Sequence, residues 1–463
     1  MNTSLLLDSL NQAQREAVSA PLGPLRVLAG AGSGKTRVLV QRIAWLIDRE
    51  GASPWSILAV TFTNKAAGEM RTRVEQLLDR PTRGLWIGTF HAIAHRLLRL
   101  HWQNAGLPQA FQILDADDQQ RLVKKVIRAL NLDEKKWPPR QACWFINAQK
   151  DEGLRPEHVD HRDDPVVVTW LRIYQHYQEA CQRSGLVDFG ELLLRAHELL
   201  RDTPSLLAHY RERFHHLLVD EFQDTNTIQY AFIRLLTGGR GDVFIVGDDD
   251  QSIYGWRGAK IENIQRFAED FPGARTVRLE RNYRSTHTIL KAANAVIAHN
   301  AGRLGKNLWT DIGEGDSIQV YGAFNEYEEA RFVAERIQTW SEGGGRRDEI
   351  AVLYRSNAQS RVLEETLLGM RIPYRVYGGL RFFERAEIKD ALAYLRLLAN
   401  RNDDASFERV VNTPTRGIGE RTLEIVRELA RELHLTLWQA AQQVVGRSLL
   451  PARAGNALHR FLL

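Results

Sequence analysis

Residues 28–40 read LAGAGSGKTRVLV; they continue the apolar run LRVLAG (25–30) and open an amphipathic stretch. A glycine-rich turn between a buried strand and a helix restricts the fold sharply. Its backbone N–H groups point inward, and the first helical turn adds unpaired N–H donors of its own, so together they cradle phosphate oxygens. Gly30, Gly32 and Gly34 supply the turn, and Ala29, Ala31 and Ser33 complete the loop. Lys35 reaches the β- and γ-phosphates of a nucleotide, and Thr36 offers its hydroxyl to Mg²⁺. A strict P-loop has glycine where this chain has Ala29, which removes one flexible residue but no ligand.

Such a loop belongs to a parallel α/β sheet, whose strands are buried on both faces and alternate with helices. The runs ILAVTF (57–62), HHLLVDEF (215–222) and DVFIVGD (242–248) are short, apolar and followed by polar or glycine-containing turns, as such strands require. Helical stretches lie between them, for example AAGEMRTRVEQLL (66–78). From 90 to 214 the periodicity is almost wholly helical, as in DQQRLVKKVIRAL and FGELLLRAHELL, which predicts an all-helical insertion. A second α/β region is expected from 281, with strands SIQVYGAF (317–324) and EIAVLYRS (349–356) around a helix at 326–340. From 378 to Leu463 the pattern is helical again. The expected division is a first ATPase domain (1–89 and 215–280), a helical insertion (90–214), part of a second α/β domain (281–377) and part of a second helical insertion (378–463).

A P-loop needs a carboxylate at the end of a neighbouring strand, and LLVDEFQDT (217–225) supplies two. Asp220 suits Mg²⁺, held through water, while Glu221 suits orienting and deprotonating an attacking water, the second acid marking hydrolysis rather than binding alone. Composition adds less. Lys and Arg number 62 against 57 Asp and Glu, and the formal charge of +5 permits a nucleic-acid partner without demanding one. The two cysteines, Cys143 and Cys181, have no metal-ligand spacing, which points to a reducing compartment and away from structural zinc. MNTSLLLDSL lacks a basic leader, and no apolar run reaches 18 residues, so a cytoplasmic protein with no membrane partner is expected.

Seven stretches, LNQAQREAV (10–18), AGAGSGKT (29–36), VTFTNKAAGEM (60–70), GTFHAIAHR (88–96), LVDEFQDT (218–225), VGDDDQSIYGWRGA (246–259) and LERNYRS (279–285), occur in this order. In order and spacing the chain resembles the superfamily-one DNA helicases of the UvrD/Rep/PcrA type, and VDFGELLLRAHELL, YGGLRFFER and NTPTRGIGERTL resemble the UvrD branch. The resemblance implies an α/β fold of RecA-like P-loop NTPase domains with large helical insertions, ATP and Mg²⁺ as cofactors, and 3′→5′ unwinding in DNA repair, both nucleotide excision and mismatch repair, and in replication. It implies single-stranded DNA and single/double-strand junctions as partners, with DNA-repair proteins beside them; monomer and dimer stay open. Gln14 resembles the glutamine that reads adenine, Arg37 and Tyr283 the pair that sandwich the base, Gln251 the γ-phosphate sensor, and Arg284 the arginine that neutralises charge on the transferred phosphoryl group.

On the DNA side, Phe62, Phe189, Tyr254 and Trp256 are expected to stack on successive bases, a sequence-tolerant grip. Arg257, Thr89, His91, Arg355 and Asn357 resemble backbone or base contacts, and Gly417, Gly419 and Thr422 a duplex-contacting turn between helices. Asp248 and Gln251 are placed toward the phosphates, with Asp249 and Asp250 capping the following turn. The family's later threonine/glycine-rich motif and second arginine do not follow residue 425, so the chain reads as a fragment or a shortened form with weak turnover and unwinding. Two other readings stay open. One is the helicase subunit of a recombination exonuclease, against which no nuclease-type carboxylate cluster appears after 380. The other is a non-catalytic DNA-binding relic, against which stand Lys35, Asp220, Glu221, Gln251 and Arg284.

Overall fold

All strands of the central sheet but one at its edge divide their side chains between two cores. In β1 (Leu25–Ala29), Val27 and Ala29 join one apolar cluster and Leu28 the other. The same alternation holds in β2 (Ile57–Thr61), where Ala59 faces one way and Leu58 and Val60 the other. Together with β3 (Trp86–Thr89), β6 (His216–Val219), β7 (Asp242–Gly247) and β8 (Arg275–Leu279), these form a six-stranded sheet in the order β3-β2-β6-β7-β1-β8. All its neighbours pair in parallel. The short strands β4 (Gln112–Ile113) and β5 (Leu186–Val187) pair separately. This computed structural model describes residues 6–162, 164–238, 241–377, 386–433 and 435–463. It falls into two units, Met1–Ile318 and Gln319–Leu463.

Parallel strands must be joined by crossovers, and here helices supply them. Helix Lys35–Asp48 follows β1, and Asn64–Leu78 follows β2, capped by the Thr63 hydroxyl accepting from the Ala66 N–H. Between β3 and β6 the chain is helical apart from the β4–β5 pair, as the periodicity of 90–214 predicts. Helices Ala116–Ala129, Pro139–Asp151 and Pro165–Arg183 enclose their own core around Val123, Ile146, Ile173 and Tyr174. Leu192, Leu193 and Leu199 of helix Phe189–Asp202 instead join the core on one face of the sheet. That insertion also buries charge. Lys150 lies 2.7 Å from Asp188 and 3.0 Å from Glu191, and Arg155 pairs with Glu191 at 2.8 Å.

Residues 281–318, expected to begin a second α/β domain, belong to the first unit. Their polar groups hold them there: the Asn282 amide donates to the Ala31 carbonyl at 2.6 Å, and the Tyr283 N–H to Gly32 at 2.9 Å.

In the second unit the expected helix at 326–340 forms as Glu326–Glu342 and shares a small core (Ala334, Ile337, Leu367, Ile372) with helix Ser360–Gly369. The expected strands at 317–324 and 349–356 do not form among the described residues. Each lacks the neighbouring strand that would satisfy its backbone, and Val320, Phe324 and Leu353 stay more than nine-tenths exposed. The helical pattern after 378 is realised from Ala386 onward around Phe407, Val426, Trp438 and Leu458. The stretch 378–385, most of YGGLRFFER, lies outside the described residues. Among the described residues no helix is long and apolar enough to cross a membrane.

Candidate nucleotide and nucleic-acid site

Because the strands all run the same way, whatever follows each of them gathers at one edge of the sheet. Gly30–Lys35 follow β1, Phe62 follows β2, Thr89 ends β3, Asp220 and Glu221 follow β6, Asp248–Gln251 follow β7, and Asn282–Arg284 follow β8. Motif residues 251 positions apart in sequence, such as Ala31 and Asn282, thereby meet.

The P-loop is locked by its neighbours. Gly32 and Gly34 adopt φ of +67° and +90°, and a β-carbon on Gly32 would stand 2.6 Å from the Asn282 amide nitrogen. Only glycine meets both demands cheaply. Gln14 is buried and its amide is occupied at both ends: the oxygen accepts from the Asn11 N–H at 3.1 Å and the nitrogen donates to the Ser33 carbonyl at 2.8 Å. It therefore buttresses the loop and caps its own helix. The Tyr283 hydroxyl accepts from Asn11 at 2.7 Å with its ring 43 % exposed, while Arg37 is exposed.

Lys35 forms a 3.0 Å ion pair with Glu221, whose backbone is left-handed at φ +49°. Gln223 ties this pair to the next strand: its amide donates to Glu221 at 2.9 Å, and its oxygen accepts from the Asp248 N–H at 2.9 Å. Asp248 in turn accepts from the Gln251 side chain. A continuous polar line thus runs Lys35, Glu221, Gln223, Asp248, Gln251. Sequence reasoning passed over Gln223 and Asn282, whose signal was only their place inside motifs.

Burial, reinforced by the Glu221 charge and opposed by Lys35, raises the Asp220 carboxyl to about 6. Burial and Glu221 raise Asp224 to about 6 as well. A carboxylate so disfavoured is a hard oxygen donor whose charged form a small divalent cation would relieve. Asp248, Asp249 and Asp250 also converge as metal donors would, but the Lys306 ammonium contacts all three. Asp248 is the residue that caps the turn, accepting from the Asp250 N–H at 3.1 Å. Asp249 and Asp250, expected to cap it, instead bind Lys306, Arg303 and the Leu304 N–H.

A groove of about 400 Å³ lies beside this edge, lined by Phe62, Thr89, His91, Phe189, Tyr254 and Arg257 among others. Phe62 and Tyr254 stack at 5.4 Å with an interplanar angle of 21°. Arg257 lies over both Tyr254 and Trp256, and Trp256 is 77 % exposed. Opposite, Phe189 stands edge-on to His91 at 6.0 Å, and burial pulls the His91 imidazole toward its neutral form. Phe189 keeps its place because Asp188 caps its helix and is itself gripped by Lys150 and the Tyr177 hydroxyl. Arg355 and Asn357 lie exposed in the second unit. Gly417 and Gly419, also there, are exposed, and the Thr422 side chain is buried.

Two family matches cover nearly all of this. Residues 10–272 match the UvrD/REP helicase N-terminal domain, and 277–447 the UvrD-like helicase C-terminal domain. DNA helicase II of Escherichia coli strain K12 is 67% identical over 462 residues, which is 100% of this chain and 64% of that protein. DNA helicase II of Haemophilus influenzae is 61% identical, again over 100% of this chain and 64% of the relative. The ATP-dependent DNA helicase PcrA of Bacillus subtilis is 45% identical over 98% of this chain and 62% of its own length. The chain thus spans somewhat under two thirds of these relatives. It belongs to the UvrD/REP helicase family, with the P-loop NTPase fold that its parallel sheet displays.

Proposed function

We propose that the chain is an ATP-dependent DNA helicase that moves 3′→5′ on single-stranded DNA and unwinds duplex at junctions, acting in the cytoplasm with DNA-repair proteins in excision and mismatch repair and in replication. The observation that carries the reading is the polar line ending at Gln251, three residues before Tyr254, which stacks on Phe62 in the groove. Nucleotide site and base-stacking platform are the two ends of one short loop. A shift of Gln251 on loss of the γ-phosphate therefore reaches the stacked aromatics directly.

Within the site, Lys35 and the loop N–H groups take the phosphates, Arg284 offsets charge on the transferred group, and Glu221, released from Lys35, orients the water and takes its proton. Thr36 and Asp220 would hold Mg²⁺, which would supply positive charge to offset that of the phosphates. Gln14 meets adenine by exchanging one of its two present bonds, and Arg37 and Tyr283 flank the ring. Phe62, Phe189, Tyr254 and Trp256 stack bases while Thr89, His91 and Arg257 keep the strand's register; Arg355, Asn357, Gly417 and Gly419 extend the contacts. The four-part division at 89/90, 214/215, 280/281 and 377/378 remains our reading of the helicase's moving parts.

ATP turnover with and without a single-stranded oligonucleotide tests this. Turnover should rise with DNA and fall by about 10²–10³-fold in Lys35→Ala, the usual cost of losing a transition-state donor. Turnover indifferent to both DNA and Lys35→Ala would overturn the reading.

A further inference from the structure

We propose that Lys306 and Arg303, which lie outside every motif, are positioning residues that set the γ-phosphate sensor Gln251 through the three aspartates before it. This rests on the reading of Gln251 given above.

Lys306 is buried, and its ammonium lies 2.7 Å from Asp248, 2.5 Å from Asp249 and 2.9 Å from Asp250. Arg303 forks the same Asp250 at 2.7 and 2.8 Å, and the Leu304 N–H donates to Asp249 at 2.8 Å. Three adjacent carboxylates this close repel one another. Two cations hold them together, and removing one leaves uncompensated buried charge. The oxygen of Asp248 not taken by Lys306 accepts from the Gln251 side chain. Lys306 therefore fixes the aspartate that aims the sensor.

The cations can do this because the segment bearing them is itself fastened. Arg278 donates to the Gly305 carbonyl at 3.1 Å, the Asn307 N–H to Glu280 at 3.0 Å, and the Asn294 amide to the Leu308 carbonyl at 2.9 Å. Beyond them the Trp309 N–H donates to Glu280, and the Trp309 carbonyl accepts from the Asn282 N–H. Leu308 fills the space over Gly30, where a β-carbon would meet it at 2.1 Å. Residues 302–310 thus form a strap across the ends of β7, β1 and β8. It touches the P-loop at Gly30 and, through Lys306, the Asp248 that bonds the sensor, so the spacing between loop and sensor is set by the strap as well as by the sheet.

Affinities for ADP and for the slowly hydrolysed analogue ATPγS, both with Mg²⁺, are measured on the whole chain by displacement of a fluorescent ADP. The wild type is expected to prefer ATPγS. Lys306→Met and Arg303→Gln should cut that preference about tenfold with ADP affinity unchanged, a modest share of what a misplaced group costs, and Lys306→Arg should restore most of it. If Lys306→Met does not fold, Arg303→Gln carries the test, since Arg303 is partly exposed and grips Asp250 alone among the aspartates. An unchanged preference in the folded variants, or equal loss of ADP and ATPγS affinity, would overturn the proposal. A wild type with no preference for ATPγS would instead sink the reading of Gln251 as sensor, and the proposal with it; the wild-type control alone distinguishes that case.

Discussion

Leu58 and Leu353 sit in runs of nearly the same chemistry, ILAVTF and EIAVLYRS, yet the first is fully buried and the second 93 % exposed. The difference lies in their neighbours. Leu58 belongs to β2, which is hydrogen-bonded on one side to β3 and on the other to β6, with a core over each face. Leu353 has no strand beside it among the described residues, and helices Glu326–Glu342 and Ser360–Gly369 cover little of its surroundings. An apolar run is a demand for burial, and among the described residues only the first unit meets it with paired strands.

The largest effect that could break this contrast is on stability. Leu58→Ala should cost about 2–5 kcal/mol, as cavity-forming core substitutions do, whereas Leu353→Ala should stay within about 0.5 kcal/mol, as at exposed positions. Denaturant unfolding of both variants measures it, and equal costs would mean the second run is buried after all. Next comes pH. Burial, with the charges of Glu152 and Asp188, raises Asp151 to about 6, against a bond from Asn226 that opposes the rise. The folded chain then holds that proton more firmly than the unfolded one. Its contribution is full below the ordinary value of 3.8 and is lost as pH climbs through 6. Asp151→Asn should therefore gain on the wild type by about 2–3 kcal/mol between pH 4 and 7. In the second unit the exposed Asp348 is lowered by its Arg346 partner, and Asp348→Asn should show no such pH-dependent gain. The smallest effect sharpens what exposure means. Trp256→Ala should weaken single-strand binding by about 1–3 kcal/mol and leave the melting temperature and ADP affinity unchanged. A loss of ADP affinity alongside would place the indole in the core of the nucleotide site.

How much could be read in advance follows the same logic. β1, β2, β6 and β7 announce themselves because strands buried on both faces are mostly apolar along their length. The outermost strands, β3 and β8, do not: β8 alternates exposed Arg275 and Arg278 with buried Val277 and Leu279, a weak signal in five residues. The P-loop, Asp220, Glu221 and the aromatics could be proposed in advance since each lies in a short local motif, and the fold gathers them along one edge of the sheet. Lys306 was not, because a single lysine in LGKNLWT has no period and no motif, and its partners lie more than 50 residues away. Thr422 shows the converse: a glycine-flanked turn suggests backbone contacts, yet helix periodicity turns that side chain inward. The second unit's missing strands fail for a different reason, since pairing is a property of neighbours and no single run contains it.

On the function proposed above, the ion pair between Lys35 and Glu221 has a further consequence. The lysine proposed to hold phosphate and the acid proposed to receive a proton occupy each other, and the left-handed turn at Glu221 keeps them in reach. An acid paired in this way would be poor at activating water. Phosphates that claimed the lysine would also free the acid, so that taking up the nucleotide and readying the base would be one event.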